Sequence, residues 1–348
     1  MSQLERREVI RKLQEQRASH VICYLTSTRE GMEVQMAMDV IRLFYDHLRQ
    51  IPGGHTQKID LVLHSNGGDG VVPWRLITLL REYCEFLAVI VPHRAFSAAT
   101  LAALGANEII MHPLAMLGPI DPTTANVFNP RDPANPQQPL GISVEDVSAY
   151  VALVKDDVGI THEDELVQAF NILAQQVHPL ALGNVKRITE QSRMMARKLL
   201  GLHMDRSTDE HKISQIVEAL SSRLYYHGHP INRREAEDDL GLNIIEPGQL
   251  VEDTIWQLYE QYESAMLLGQ SFVQYQEFLA GNPDLTQISQ LQYVQRPPVV
   301  LAYIESESMA HRYVLEYELA GARYPDGIVR TQLLKRREGW ERETEEKS

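Results

Sequence analysis

The chain has 348 residues, enough for one sizeable hydrophobic core plus appended elements. Lys and Arg number 33 against 47 Asp and Glu, a net charge of −14 that repels phosphate backbones and anionic lipid. The short basic clusters Arg233-Arg234 and Lys335-Arg336-Arg337 read as solvated faces, so no nucleic-acid partner is expected. Cys23 and Cys84 are too few for a disulfide framework and read as buried thiols in a reducing compartment, Cys23 in a strand and Cys84 at a helix end. Residues 2–17 are charged throughout, unlike a secretory signal, and no apolar run reaches the about 18 residues of a spanning helix. A cytoplasmic protein without a membrane span is expected.

Residues 3–17 have the pattern of a surface helix leading into a strand at 20–25. Met36, Val40, Leu43, Phe44 and Leu48 form one stripe and predict a helix over 35–48. Ile59 to His64 reads as a strand. It stops at Ser65-Asn66-Gly67-Gly68-Asp69-Gly70, and a helix follows with Trp74, Ile77, Leu80 and Tyr83 inward. Phe86 to Val91 is nearly all apolar, as in a strand covered on both faces; a short helix at 97–104 and a strand at 108–111 come next. This alternation predicts an α/β fold with mainly parallel pairing.

Residues 119–140 hold six prolines and read as a long loop or lid. Beyond it the chain turns helical: one helix starting near Thr161 and running to His178, then 184–200, then 209–226. Asn232 and Glu235 form a capping pair for a helix ended by Gly241. A single helical stretch over 249–280 places Tyr259, Tyr262 and Tyr275 in core or interface. From Pro297 three strand-like runs follow, the last two separated by Pro325-Asp326-Gly327, which predicts a small C-terminal β segment.

Two stretches carry chemistry. In His64 to Gly70, consecutive glycines between a strand and a helix let backbone N–H groups face outward, where they stabilise negative charge, including an acyl-transfer oxyanion. A plain βα turn has the same composition. In Pro92-His93-Arg94-Ala95-Phe96-Ser97-Ala98-Ala99, a serine sits at a strand-to-helix junction on the carboxyl edge of the sheet, where α/β folds build their sites. Such a serine also caps helices. Asp69 reads as a cap, His162-Glu163-Asp164 as an acidic helix start, and His227-Gly228-His229 as a loop without a third metal ligand.

Taken together, the order strand, Asn-Gly-Gly, helix, strand, Ala-Phe-Ser-Ala, helix, strand resembles the Clp-type and signal-peptide-peptidase-A serine proteases. The stretches Ala102 to Pro113, Leu117 to Pro122 and His178 to Asn184 are similar to the serine dehydrogenase proteinase branch. The resemblance spans about residues 18–245. It implies a Clp/crotonase-like ββα spiral at 18–245, preceded by an N-terminal helix at 1–17 and followed by a helical and β extension at 246–348.

By position the resemblance makes Ser97 the nucleophile and the amides of Gly68 and Ala98 the oxyanion hole, with Asn66, Gly67 and Asp121 in support. A Clp-type histidine has no counterpart at the matching place: Ile120 or Asp121 stands there, and His112 lies eight residues too early. The signal-peptide-peptidase pattern points to Lys155 as base, with Lys186 in reserve. Lysine serves as a base only when burial or a neighbouring cation lowers its pKa. The expected activity is serine endopeptidase without cofactor or metal. The alternatives are a crotonase-like acyl-thioester enzyme, or an inactive scaffold in which Ser97 only caps its helix. Expected partners are a protein or peptide substrate and further copies of the chain. No Gly-x-x-x-x-Gly-Lys-Ser/Thr stretch is present, so unfolding of substrates would fall to a separate unfoldase or adaptor.

Overall fold

The computed structural model describes residues 3–121, 123–124, 127–132, 140–223, 228–280 and 290–343. The chain runs α1 (Gln3–Arg17), β1 (His20–Thr26), α2 (Val40–Leu48), β2 (Thr56–His64), α3 (Val72–Arg81), β3 (Cys84–Val91), β4 (Arg94–Ala95), α4 (Ala98–Leu104), β5 (Glu108–Met111) and β6 (Met116–Leu117). It continues with β7 (Thr123–Thr124), β8 (Ile142–Ser143), α5 (Val144–Ala152), α6 (Glu163–Gln176), α7 (Pro179–Leu200), α8 (Glu210–Glu218), β9 (Ile231–Asn232) and β10 (Ile244–Ile245). The last elements are α9 (Gln249–Met266), α10 (Gln274–Ala280), β11 (Gln292–Gln295), β12 (Val299–Ser306), β13 (Met309–Arg323) and β14 (Val329–Arg342).

One sheet organises the molecule, in the order β10-β5-β3-β2-β1-β12-β13-β11, with β14 also on β13. Pairing from β10 to β1 is parallel, and β12 joins β1 antiparallel. The parallel strands are apolar on both sides because both faces are covered. Leu61, Leu63, Val89 and Val91 pack with α2, α3, α4, α7 and α8; Val62, Ala88 and Ile90 pack with α1 and α9. Each such buried Val, Leu or Ile side chain contributes about 1.5–3 kcal/mol. The α/β class expected from the alternation is thus borne out.

After β3 and β5 the chain gives a second short strand, β4 or β6, to a separate three-stranded sheet, β4-β6-β9. β2 does the same in miniature through a parallel bridge between Ser65 and Ala95. Strand, short strand, helix is therefore the repeating unit, and its short strands deliver the loops after β2 and β3 to one place.

Several local expectations need correction. The helix expected over 35–48 begins only at Val40, because Met36 is drawn into a parallel bridge with Gly68. Cys84 opens β3 rather than ending a helix; both cysteines are buried. The helix expected from Thr161 starts at Glu163 behind His162 and ends at Gln176. The next helix begins at Pro179 rather than 184, its first position suiting a residue without an N–H. The stretch 249–280 is two helices, α9 closing on Leu267 in a left-handed conformation (φ 56°). The C-terminal strands lengthen the main sheet through β1, because β12 supplies the edge that β1 would otherwise expose.

One buried pair binds the two ends of the chain. Arg6 Nε of α1 donates to Glu305 Oε2 of β12 at 2.6 Å, and Tyr262 of α9 donates to the same carboxylate at 2.9 Å. The guanidinium lies 4.6 Å from the Tyr303 ring centroid. Burial works against the charge on Arg6, but Glu305 raises its pKa further still.

Candidate active site around Ser97

Ser97 stands between β4 and α4 with φ 52° and ψ −115°, a conformation that strains any residue with a side chain. Its hydroxyl makes no capping hydrogen bond to the helix it precedes. The capping role is therefore not what holds a serine here. Strain at a strand-to-helix junction that lifts a hydroxyl off the helix is the geometry of a presented nucleophile.

The neighbouring elements fix this turn. Ser65 N–H donates to Arg94 O at 3.1 Å and Phe96 N–H donates to Ser65 O at 3.0 Å, so the roots of the glycine loop and the serine turn are one β-bridge. Thr100 Oγ1 accepts the Gly118 amide at 3.1 Å and donates to Ala95 O at 2.7 Å, tying α4 to the chain beyond β6.

Gly67 and Gly68 lie directly against this turn. A Cβ on Gly67 would stand 2.6 Å from Phe96 O and 2.9 Å from both Ala98 N and the Ser97 Cβ. One on Gly68 would stand 2.4 Å from Met36 O, and both glycines have positive φ, 97° and 154°. The loop is pinned from outside: Met36 N–H donates to Gly67 O, Asp69 N–H donates to Met36 O, and the Gly67 amide donates to Ser65 Oγ at 3.0 Å. Thr26 Oγ1 in turn donates to Ser65 Oγ at 2.8 Å. Among the described residues the amides of Gly68 and Ala98 donate no hydrogen bond.

Gly68, Ser97 and Ala98 share a cavity of about 300 Å³ with Asp69, Ile120 and one flank of α7: Arg187, Ile188, Gln191, Ser192 and Met195. Ser192 donates to Ile120 O at 2.6 Å and so holds α7 over the opening. Asp121 is buried beside Ile120, whereas Asn66 is exposed and accepts from Arg94 at 3.4 Å.

The expected bases lie elsewhere. Lys155 is exposed on a π-turn, Leu153–Asp157, between α5 and α6, where it lines a separate apolar cavity with Tyr150, Phe170 and Leu173. Lys186 is exposed and paired with Glu190 at 2.8 Å. The His112 ring stacks on Trp256 at 4.8 Å, on the face of the sheet covered by α9. His229 pairs with Glu235 at 2.7 Å, and its companion His227 lies outside the described residues. Much of the proline-rich 119–140 segment falls outside them too.

Three parts of the site had no individual signal in the sequence. One is Met36, another the Thr26–Ser65 pair, and the third the α7 wall. A fourth group lies under the loops on the α9 face. His64 and His93 stack at 5.8 Å, and Tyr259 OH and His93 Nδ1 are hydrogen-bonded at 3.0 Å. Burial, then the nearby His93 and Arg94, hold His64 well below the ordinary imidazole pKa.

Residues 1–132 match the family described as ClpP-like SDH-type serine proteinase. That segment holds β1 to β6, both glycines and Ser97. An uncharacterised protein of Methanocaldococcus jannaschii is 27% identical over 264 residues, covering 74% of this chain and 80% of that protein. A second uncharacterised protein of the same organism is 42% identical over 64 residues, 18% of this chain and 22% of its own length.

Among solved structures, a serine-to-alanine mutant of the 1510-N membrane-bound stomatin-specific protease is similar with TM-score 0.38 and 12% identity, over 67% of this chain and 80% of its own. ClpP1 from Listeria monocytogenes is similar with TM-score 0.34 and 13% identity, over 69% of this chain and 98% of its own. Among the described residues of this chain, no helix is long and apolar enough to cross a membrane.

Proposed function

We propose that this chain is a serine endopeptidase acting through an acyl-enzyme at Ser97. The observation that carries the reading is the strained Ser97 backbone, its hydroxyl uncommitted to the helix, beside two glycines that admit no side chain. The Ser97 Oγ attacks the peptide carbonyl, and its proton passes to the base. The amides of Gly68 and Ala98 receive the negative charge on the carbonyl oxygen, a contribution of about 10²–10³ in rate for one donor. Asn66, Gly67 and Asp121 support the loops that hold these groups. The base then protonates the departing amine, and water releases the acyl group by the same steps in reverse.

Lys155 is the base in this reading, brought to Ser97 by a neighbouring copy of the chain. Its own cavity is not the Ser97 cavity, and it is exposed there, so the role requires that another copy bury it. Its surroundings favour such a docking: Val151, Leu153, Val158 and Phe170 are all exposed on the α5–α6 arm, an apolar surface that a second copy would cover. Lys186 suits the role less, since its Nζ is already engaged by Glu190 at 2.8 Å. The substrate is an unfolded polypeptide, and any unfolding is done by a separate partner.

Complementation tests this. Ser97→Ala and Lys155→Ala chains are each inactive on casein alone, and mixing them restores part of the activity. Full activity of Lys155→Ala by itself removes the lysine from the mechanism.

A further inference from the structure

Helix α7 presents two flanks. One closes the Ser97 cavity; the other, with α8 and the turn between them, walls an open groove of about 510 Å³. Arg193, Arg197, Lys198 and Arg206 converge on this groove, against only Glu190 and Glu210. A local cationic excess on a chain of net charge −14 runs against the rest of the surface.

The hydrogen bonds sharpen the point. Arg193 Nε donates to Ser221 Oγ at 3.0 Å and Arg197 to Ser214 Oγ at 3.5 Å, so neutral hydroxyls orient these guanidiniums without cancelling their charge. Glu190 is held by Lys186 at 2.8 Å and approaches Arg193 only to 3.8 Å. Glu210 accepts from Ser214. Like charges gathered this way repel one another, and an incoming anion relieves that repulsion. Guanidinium forks match carboxylates in pairs.

The remaining surface narrows the ligand. Ile213 is buried in the floor, and Met194 is 44% exposed at the side, so the groove offers apolar area beside its cations. Trp74 is half-buried and does not line the groove, and Lys198 Nζ lies 5.4 Å from its ring centroid, so no indole among the lining residues offers a platform for a nucleobase. We propose that the α7–α8 groove binds an acidic polypeptide segment, its carboxylates on Arg193, Arg197 and Arg206 and an apolar residue against Met194 and Ile213. This site is separate from the peptidase reading and stands whether or not Ser97 is reactive.

The test is fluorescence anisotropy of the full-length chain with a fluorescein-labelled Glu/Leu dodecapeptide, beside a Gln/Leu dodecapeptide and ATP. Saturable binding of the Glu/Leu peptide is expected, weakening with added salt and falling by about tenfold or more in Arg197→Glu and in Arg206→Glu. Arg330→Glu, a charge reversal on the distant β14, should leave binding in place. Both groove residues are exposed, and an unchanged melting temperature confirms that the variants fold. Equal binding of the Gln/Leu peptide, insensitivity to Arg197→Glu and Arg206→Glu, or displacement by ATP more readily than by unlabelled Glu/Leu peptide overturns the proposal.

Discussion

Gly67 and Ser97 touch: a Cβ added to Gly67 would lie 2.9 Å from the Ser97 Cβ. The contact leaves the serine turn no room to relax from its positive φ without moving the glycine loop, and the loop is pinned by Met36 and Ser65. The proposed nucleophile and the proposed oxyanion hole are therefore one mechanical unit.

Gly68→Ala follows directly from this geometry. Its methyl group would stand 2.4 Å from Met36 O, at a φ of 154° that only glycine adopts readily. Relieving that clash shifts the Gly68 backbone from its place beside Ser97. A fall of at least about 10²-fold in fluorophosphonate labelling rate is expected, the loss attached to one oxyanion donor. Labelling kinetics at matched folded fraction measure it.

Ser65 acts through Gly67. Its hydroxyl accepts the Gly67 amide and is itself held by Thr26. Ser65→Ala is expected to cost about 1–2 kcal/mol of stability, the ordinary loss for one buried hydrogen-bond partner. Labelling should slow by more than the fall in folded fraction explains. Comparing the labelling rate with the urea midpoint separates the two effects.

Glu305→Gln removes the buried carboxylate from Arg6 and leaves the guanidinium its second partner, Glu343, at 2.6 Å. Breaking a buried pair outright costs about 3–5 kcal/mol, so a loss at or below the lower end of that range is expected. Replacing both residues by apolar ones, Arg6→Met with Glu305→Leu, should cost less than Glu305→Gln alone. Chemical denaturation of the three proteins decides it.

Acid should weaken the fold before its carboxylates titrate. Burial, then His311, His20 and Arg342, hold His47 at about 3, against an ordinary 6.5. His64, His93 and His311 are lowered too, each mainly by burial. The folded chain thus binds fewer protons than the unfolded one over that interval. Stability from these groups is complete above the unfolded value and drains away as pH falls from 6.5 towards 3. A melting temperature flat above about pH 7 and already declining at about pH 5.5 is expected. His47→Asn should make the decline shallower, and a melting temperature that rises on acidification contradicts this account.

The serine and glycine turns were legible because both are punctuated locally: Asn66-Gly67-Gly68 ends one apolar strand, and Ala95 to Ala98 follows another. What the sequence could not display is partnership across distance. Met36 carries helical spacing, yet the loop after β2 captures its backbone. The α7 wall is an ordinary amphipathic helix until it is set over Ser97. Lys155 has the local context of a family lysine, and nothing local encodes which cavity it lines. The C-terminal strands read as a separate segment because their partner, β1, lies at the other end of the chain.

The most direct measurement is the mapping of fluorophosphonate adducts by tandem mass spectrometry on the full-length chain and its Ser97→Ala variant. A single adduct on Ser97, absent from a variant that melts at the same temperature, is the predicted result. An adduct on another serine, or equal labelling of Ser97→Ala, would contradict the assignment of Ser97 as nucleophile.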